Sequence, residues 1–272
     1  MDTREERWHH ERQFFDAEEY PSDPIPSNTI ERYARCERPF LAAERPFAIM
    51  GDVRGKRVLE IGCGGGANSV ILALKGATVV GVDISPKAIQ AARQLAARHG
   101  VENRVDFQAT PLESYLALNQ GQPFDVICGF AVLHHLLPVL GETLTRLASA
   151  AHPETTWVFS EPVATSQWMQ NLRLRLPLKV DGTPDERPLN NADLAVIREH
   201  LPAMKMDLFC ATLRFWTRAF PGRYEDYPTL VRSLYNALGR IDATLLSAPI
   251  FRALSSIAVI YSAPLHVAQF AA

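Results

Sequence analysis

The chain has 272 residues, 47% of them hydrophobic and 21% charged, with 15 glycines and 19 prolines, which excludes collagen-like, low-complexity and wholly disordered chains. A chain of this length can bury roughly three quarters of its unfolded surface, enough for one large domain with an appendage. Lys+Arg 28 against Asp+Glu 30 gives a net charge of -2, so the overall field does not attract a polyanion and a nucleic-acid partner is disfavoured. Cys36, Cys63, Cys128 and Cys210 are widely spaced and form no CxxC pair, against a zinc ribbon or a disulfide framework. The charged start Met1 to Arg7 lacks the apolar stretch of a signal peptide, and no apolar run approaches the roughly 18 to 20 residues of a membrane span. A soluble cytoplasmic protein without a membrane span is expected.

The first ~50 residues are polar and aromatic, with Trp8, His9, His10, Phe14, Phe15 and Tyr20 ahead of the proline-dense stretch Pro21 to Ser27. Prolines at that density interrupt helix, so the pattern predicts a short helix, an irregular crossing and a second helix over about Asn28 to Met50. From Arg57 onward strands alternate with helices. Val58 to Ile61 is strand one, followed by Gly62-Cys63-Gly64-Gly65-Gly66 and a helix over Ala67 to Lys75. Thr78 to Val82 is strand two, ending at Asp83. Ser85 as N-cap and Pro86 at N1 open a helix with Ala88, Ile89, Ala92, Leu95 and Ala96 inward, stopping at Gly100. Strand three is Val105 to Gln108, strand four Phe124 to Cys128, and a helix over Pro138 to Ala151 leads to strand five at Thr155 to Ser160. Further on, helices are expected over Glu161 to Leu176 and Asn191 to Leu201, with a loop over Pro177 to Pro188 between them. Strands are expected over Lys205 to Phe215 and Ser256 to Ser262, separated by a helical insertion over about Tyr227 to Leu254. Strands separated by helices require right-handed crossovers and a parallel sheet. The expected fold is α/β, a doubly wound sheet.

Glycines at the end of strand one let the backbone turn sharply and lie close to a ligand. An acidic residue ending strand two, Asp83, can accept two hydrogen bonds from ribose hydroxyls. Gly62-x-Gly64-x-x-Ala67 with Asp83 also spells the dinucleotide fingerprint, so an NAD(P)-dependent oxidoreductase is the alternative reading. Glu60 separates the two: a carboxylate there would repel a pyrophosphate but can organise the ammonium of an amino-acid moiety, which favours S-adenosylmethionine.

Residues 55 to 162 resemble a class I S-adenosylmethionine-dependent methyltransferase of the small-molecule type. The resemblance is carried by VLEIGCGGG (Val58 to Gly66), VVGVDIS (Val79 to Ser85) and FDVICGFAVLHHL (Phe124 to Leu136). It implies a Rossmann-like sheet of seven strands, mostly parallel with an antiparallel last strand. It also implies a site in which Gly62, Cys63 and Gly64 lie against the methionine part and ribose, with Glu60 and Asn68 in the same block. Asp83 would hold the ribose, Ile84 would pack on adenine, and Phe130 and Ala131 would close over the methionine side through backbone groups. Similar enzymes carry an Asp-Ala pair after strand three to read adenine. This chain has Thr110 and Pro111, and proline has no N–H, so the contact is expected from Thr110 Oγ and the Leu112 N–H.

Methyl transfer is an in-line displacement, helped mainly by positioning, and it needs a base only if the acceptor must lose a proton. His134 and His135 are the candidates, His135 foremost, with a scaffold role as the competing reading. Glu161 faces the ligand edge of the sheet or else serves as a carboxylate at a helix N-terminus. Cys63 is expected to be a small residue without redox work, and Cys128 plain core. No metal-ligand spacing supports a site at His9 and His10.

The expected organisation is a helical lid over residues 1–50 and a methyltransferase domain over 51–272, with helical insertions at about 163–204 and 216–254. Trp168, Met169, Leu172, Leu174 and Leu176, then Phe209, Phe215, Trp216, Phe220, Tyr224 and Tyr227, either pack these insertions or face an apolar acceptor. Arg173, Arg175, Arg214, Arg218 and Arg223 either clamp an acid or solvate a face. The expected function is methyl transfer to the oxygen, nitrogen or carbon of a partly apolar or secondary metabolite. A protein that binds the cofactor for other chemistry is the further alternative.

Overall fold

A computed structural model describes residues 4–21, 23–118, 121–166, 187–216, 220 and 222–262. Trp168 to Leu176, Arg218 and most of the loop expected at Pro177 to Pro188 lie outside these residues. The chain opens with helices α1 (Arg4–Ala17), α2 (Ser27–Arg35) and α3 (Arg45–Met50). Strands and helices then alternate as β1 (Arg57–Ile61), α4 (Ala67–Leu74), β2 (Thr78–Asp83), α5 (Pro86–Arg98), β3 (Val105–Ala109) and α6 (Leu112–Leu118). They continue as β4 (Phe124–Phe130), α7 (Leu140–Ser149), β5 (Ala151–Pro162), α8 (Asn191–His200), β6 (Lys205–Phe209), α9 (Thr229–Ser247) and β7 (Ile257–Ser262).

The seven strands form one sheet in the order β3-β2-β1-β4-β5-β7-β6. β1 pairs in parallel with β2 and β4, β2 with β3, and β4 with β5, while β7 runs antiparallel to both β5 and β6. The last strand is thus the reversed one, as expected. Alternation along each strand sends side chains to opposite faces. Val58, Val79, Val126 and Val158 pack with Phe47 of α3, Val70 of α4 and Ile89 of α5. Leu59, Val80, Ile127 and Phe159 pack on the other face with Leu116 of α6, Leu144 of α7 and Ile197 of α8. Both faces are therefore covered, which a mostly parallel sheet requires.

Several local expectations are corrected. The second helix is two: Cys36, at φ 48°, ends α2. The fully buried Glu44 then organises the crossing by accepting from Arg32 Nε and Arg38 Nε, each at 2.8 Å. Glu161 and Pro162 belong to β5, paired with Ala258 and Ile257 of β7, so no helix begins at Glu161. The antiparallel partner lengthens β5 beyond its apolar run. Strand six ends at Phe209, because Thr212 and Leu213 turn inward to donate to the buried Asp242 of α9. Trp216 and Tyr224 join Leu41 and Leu213 in a satellite core under α9, so these insertion aromatics pack rather than face solvent. Helix α6 was not anticipated.

Candidate active site

In an open α/β sheet the crevice for ligands lies beyond the carboxyl ends of the strands where the connections change direction, here between β1 and β4. A cavity of about 320 Å³ occupies that place, with Gly62 and Gly64 from the end of β1, Asp83 and Ile84 from β2, and Phe130 and Ala131 from β4 on its wall. Thr110, Pro111 and Leu112, from the turn that opens α6, close one end, and His135 and Leu136 another part of the wall.

The glycine turn packs closely against the segment after β4. Gly62 has φ 61°, and a Cβ there would collide with the Val132 side chain. Asp83 locks the turn: Oδ2 accepts from the Gly64 N–H at 2.8 Å and Oδ1 from the Ser85 N–H at 2.9 Å. Burial pushes its carboxyl above the ordinary range, while these backbone donors pull it back. Ser85 caps α5 as expected, accepting from the Ala88 N–H at 3.0 Å.

Three expected cofactor residues sit elsewhere. Glu60 is fully buried beneath the turn and is not on the cavity wall. Its carboxylate receives the Ser69 hydroxyl, and a hydrogen bond links it to Asn68, so both hold the start of α4. Burial pushes Glu60 up to about 7 against the lowering effect of those bonds. Cys63 turns into the core, where burial raises its thiol well above the usual range. Ala131 lines the cavity at φ 54°, yet its N–H donates to Ser160 O at 2.8 Å and is not free for a ligand.

The two histidines and Glu161 divide their roles. Glu161 is fully buried, and its Oε1 accepts from the backbone N–H groups of Val132 and Leu133, both at 2.9 Å. These open the 3-10 turn Leu133–His135, so the carboxylate does sit at a helical N-terminus, though of the turn after β4. Its Oε2 accepts from His134 Nδ1 at 2.9 Å, which fixes that ring's orientation and leaves Nε2 as an acceptor. His134 lies off the cavity wall, held by Glu161, and His135 faces the cavity with Phe15 edge-on at 5.2 Å between ring centroids.

Part of the N-terminal segment stands over the site. Trp8, Glu11, Phe15, Glu18 and Tyr20 line the cavity, whereas His9, His10 and Phe14 do not. Asp16 fastens the cover: its Oδ1 accepts from the Ser85 hydroxyl at 2.6 Å, and Lys87 Nζ donates to the Asp16 and Glu18 carbonyls at 3.0 and 2.6 Å. Tyr20 lies over the glycine turn, its hydroxyl donating to Phe15 O at 3.0 Å. Burial, with Asp83 beside it, pushes the phenol up to about 12. Nothing in the local sequence of α1 signals this, because the contacts span some seventy residues.

The family model described as a methyltransferase domain matches residues 52–193, just over half of the chain. The chain belongs to this methyltransferase domain family. That membership is of a methyltransferase family, which favours the methyltransferase reading over the nicotinamide alternative. A ubiquinone biosynthesis O-methyltransferase of Bordetella parapertussis is 39% identical over 111 residues, 40% of this chain and 43% of that enzyme. The chain thus spans about two fifths of the length of the curated relatives it matches. Among solved structures, geranyl diphosphate C-methyltransferase from Streptomyces coelicolor A3(2), in complex with Mg2+, geranyl diphosphate and S-adenosyl-L-homocysteine, aligns with TM-score 0.56 at 11% identity. It covers 94% of this chain and 97% of that one. The [4+2]-cyclase SpnF aligns with TM-score 0.50 at 14% identity over 81% of this chain and 80% of its own. Both share the methyltransferase fold. Among the described residues no helix is long and apolar enough to cross a membrane.

Proposed function

We propose that this chain transfers a methyl group from S-adenosylmethionine to the oxygen of a partly apolar small molecule. One observation carries the reading: Gly62, Asp83, Ala131 and His135, drawn from three strand ends, converge on one cavity. The residues present fit the cofactor. The left-handed turn at Gly62 brings backbone to the cavity wall, Asp83 presents a carboxylate for ribose hydroxyls, and Ile84 with Leu112 offers apolar faces to a purine. When bound, the cofactor supplies an electrophilic methyl group on a sulfonium. The chain's own work is to align the acceptor and exclude water, for which well-oriented groups gain effective molarities of roughly 10⁵ M or more.

His135 is the residue to take a proton from an acceptor hydroxyl, with Phe15 holding its ring and the Glu161-bound turn setting its place in the chain. The apolar side chains of Trp8, Phe15, Phe130 and Leu136 support an acceptor with a hydrophobic body. The name of the Bordetella relative supports oxygen as the accepting atom and a quinone-type or phenolic ring, ahead of a secondary metabolite. Within the first fifty residues α1 and the stretch to Tyr20 act as the lid, and the insertions after β5 shape acceptor choice.

The test is in two steps. S-adenosylhomocysteine is expected to raise the melting temperature, with no shift from NAD or NADP. Labelled S-adenosylmethionine is then expected to methylate members of a phenol and hydroxyquinone panel. Tight cofactor binding with no labelled product across oxygen, nitrogen and carbon acceptors would overturn methyl transfer in favour of other chemistry on this fold.

A further inference from the structure

The permanently charged side chains on the cavity wall are all of one sign. Among the described residues that line it, Glu11, Glu18, Asp83 and Glu113 carry carboxylates, and there is no lysine or arginine. Glu113, in the first turn of α6, is 5% exposed, and its Oε1 is buried without a hydrogen-bond donor. Arg7 of α1 stands off the wall, its Nη2 3.6 Å from Glu113 and its Nε 3.9 Å from Glu11, so one guanidinium is shared between two acids. Lys87 is also off the wall, its Nζ tied to the Asp16 and Glu18 carbonyls and its N–H to the Asp16 carboxylate. Low-dielectric walls focus such a field inside a crevice. In a cavity of about 320 Å³ a cation therefore gains from the wall, and a neutral group of the same shape does not.

The donor S-adenosylmethionine and its product S-adenosylhomocysteine differ by one methyl group and by the positive charge of the sulfonium. As the methyl passes to the acceptor oxygen and the hydroxyl proton to a base, the sulfur keeps the electron pair of the broken bond and becomes a neutral thioether. We infer that Glu11, Glu18 and Glu113 make the cavity select for that charge, so that it holds the methyl donor more tightly than the spent product, an inference that rests on the cofactor reading above. One uncompensated carboxylate about 8 Å from a unit charge favours it by roughly thirtyfold at an effective dielectric constant of about 20. Glu18 is exposed and its part is screened by solvent, whereas Glu113 is buried, Glu11 is half-buried, and Arg7 offsets one of the two. A preference of about tenfold is left. Two of the three acids belong to the lid, so the field is complete only while α1 and the stretch to Tyr20 stand over the site.

Calorimetry at pH 7 with S-adenosylmethionine, S-adenosylhomocysteine and sinefungin tests this, since sinefungin carries a C–NH3+ group where the donor carries S–CH3+. The two cations are expected to bind at least about tenfold more tightly than the neutral product, with the gap narrowing as salt rises from about 0.05 to 0.5 M. Glu11→Gln and Glu113→Gln, which keep the side-chain shape, are each expected to narrow the gap about threefold while the product's affinity stays within about twofold. Glu19→Gln removes an exposed acid of the same segment that is off the wall, and should keep the gap. Product bound as tightly as donor by the unaltered protein, sinefungin siding with the product, or a gap that survives in the double variant of Glu11 and Glu113 would overturn the inference. Failure of the unaltered protein to bind any of the three ligands would instead overturn the cofactor reading beneath it.

Discussion

Replacing Glu161 by alanine removes the acceptor for three groups at once, the Val132 and Leu133 backbone N–H groups and His134 Nδ1, all at 2.9 Å from a carboxylate with no exposed surface. Hydrogen bonds to a charged group contribute about 1.5–3 kcal/mol each, and three sharing one carboxylate are not additive, so a loss of about 4 kcal/mol is expected. That is a large part of the roughly 5–15 kcal/mol that holds a domain together. Glu161→Gln separates the contributions. Its carbonyl can still accept from both N–H groups, while its amide replaces the acceptor facing His134 and forces that ring to exchange its tautomer, at about 1–2 kcal/mol. Urea unfolding at pH 7 measures both differences, and calorimetry with S-adenosylhomocysteine is expected to show cofactor affinity within a few-fold in the glutamine variant. Equal destabilisation by the two substitutions, or an alanine variant within about 1 kcal/mol of the original, would refute the view that Glu161 acts by holding the turn.

Four further outcomes follow from the same geometry. Gly66, at φ 78°, would bring an alanine Cβ to 2.6 Å from Ala92 Cβ and 2.9 Å from Phe107 Cζ, whereas at Gly100, φ 65°, nothing lies within 4 Å. Gly100→Ala should cost about 1–2 kcal/mol for the left-handed backbone alone, and Gly66→Ala clearly more, as melting temperatures would register. Glu60 has its folded pKa raised to about 7, so the folded state binds the extra proton and stability is lost as pH rises from about 4.5 to 7. Relative to Glu60→Gln, the unaltered protein should therefore lose about 3 kcal/mol across that window in denaturant titrations; a constant difference would refute it. Asp83→Ala should weaken S-adenosylhomocysteine binding on the order of 10- to 100-fold by calorimetry, because the Gly64 and Ser85 donors lose their acceptor. His135→Ala should lower methyl transfer by about 100-fold with cofactor affinity nearly constant, and an unchanged turnover across pH would return His135 to the scaffold.

What could be read in the chain before folding was what neighbouring residues decide. Strand β2 with its terminal Asp83, and α5 with Ser85 and Pro86 at its start, follow from β-branched runs and capping chemistry within a few residues. The elements misread are those whose limits another segment sets. β5 runs on to Pro162 because β7, ninety-odd residues later, pairs with it, and α2 stops because Glu44 gathers Arg32 and Arg38. The site divides in the same way. Gly62, Asp83 and Ala131 stand where strand ends must place them, whereas Tyr20 acquires meaning only when the N-terminal segment lies across the cavity.

Glu60 shows how the pleat of a strand decides where a motif residue lies. Its position two residues before Gly62 puts it on the same face of β1 as Val58, inside the layer that packs on α4, and not at the strand's tip. Strand alternation alone carries that conclusion, since the ligand edge begins only where the pleat ends. A carboxylate so placed needs donors, and α4 supplies them from Ser69 and Asn68, which anchors the helix start beneath the glycine turn. The carboxylate of Glu60 thus holds the start of α4 beneath the loop, and the charged groups on the cavity wall include Asp83 and, from the lid, Glu11 and Glu18.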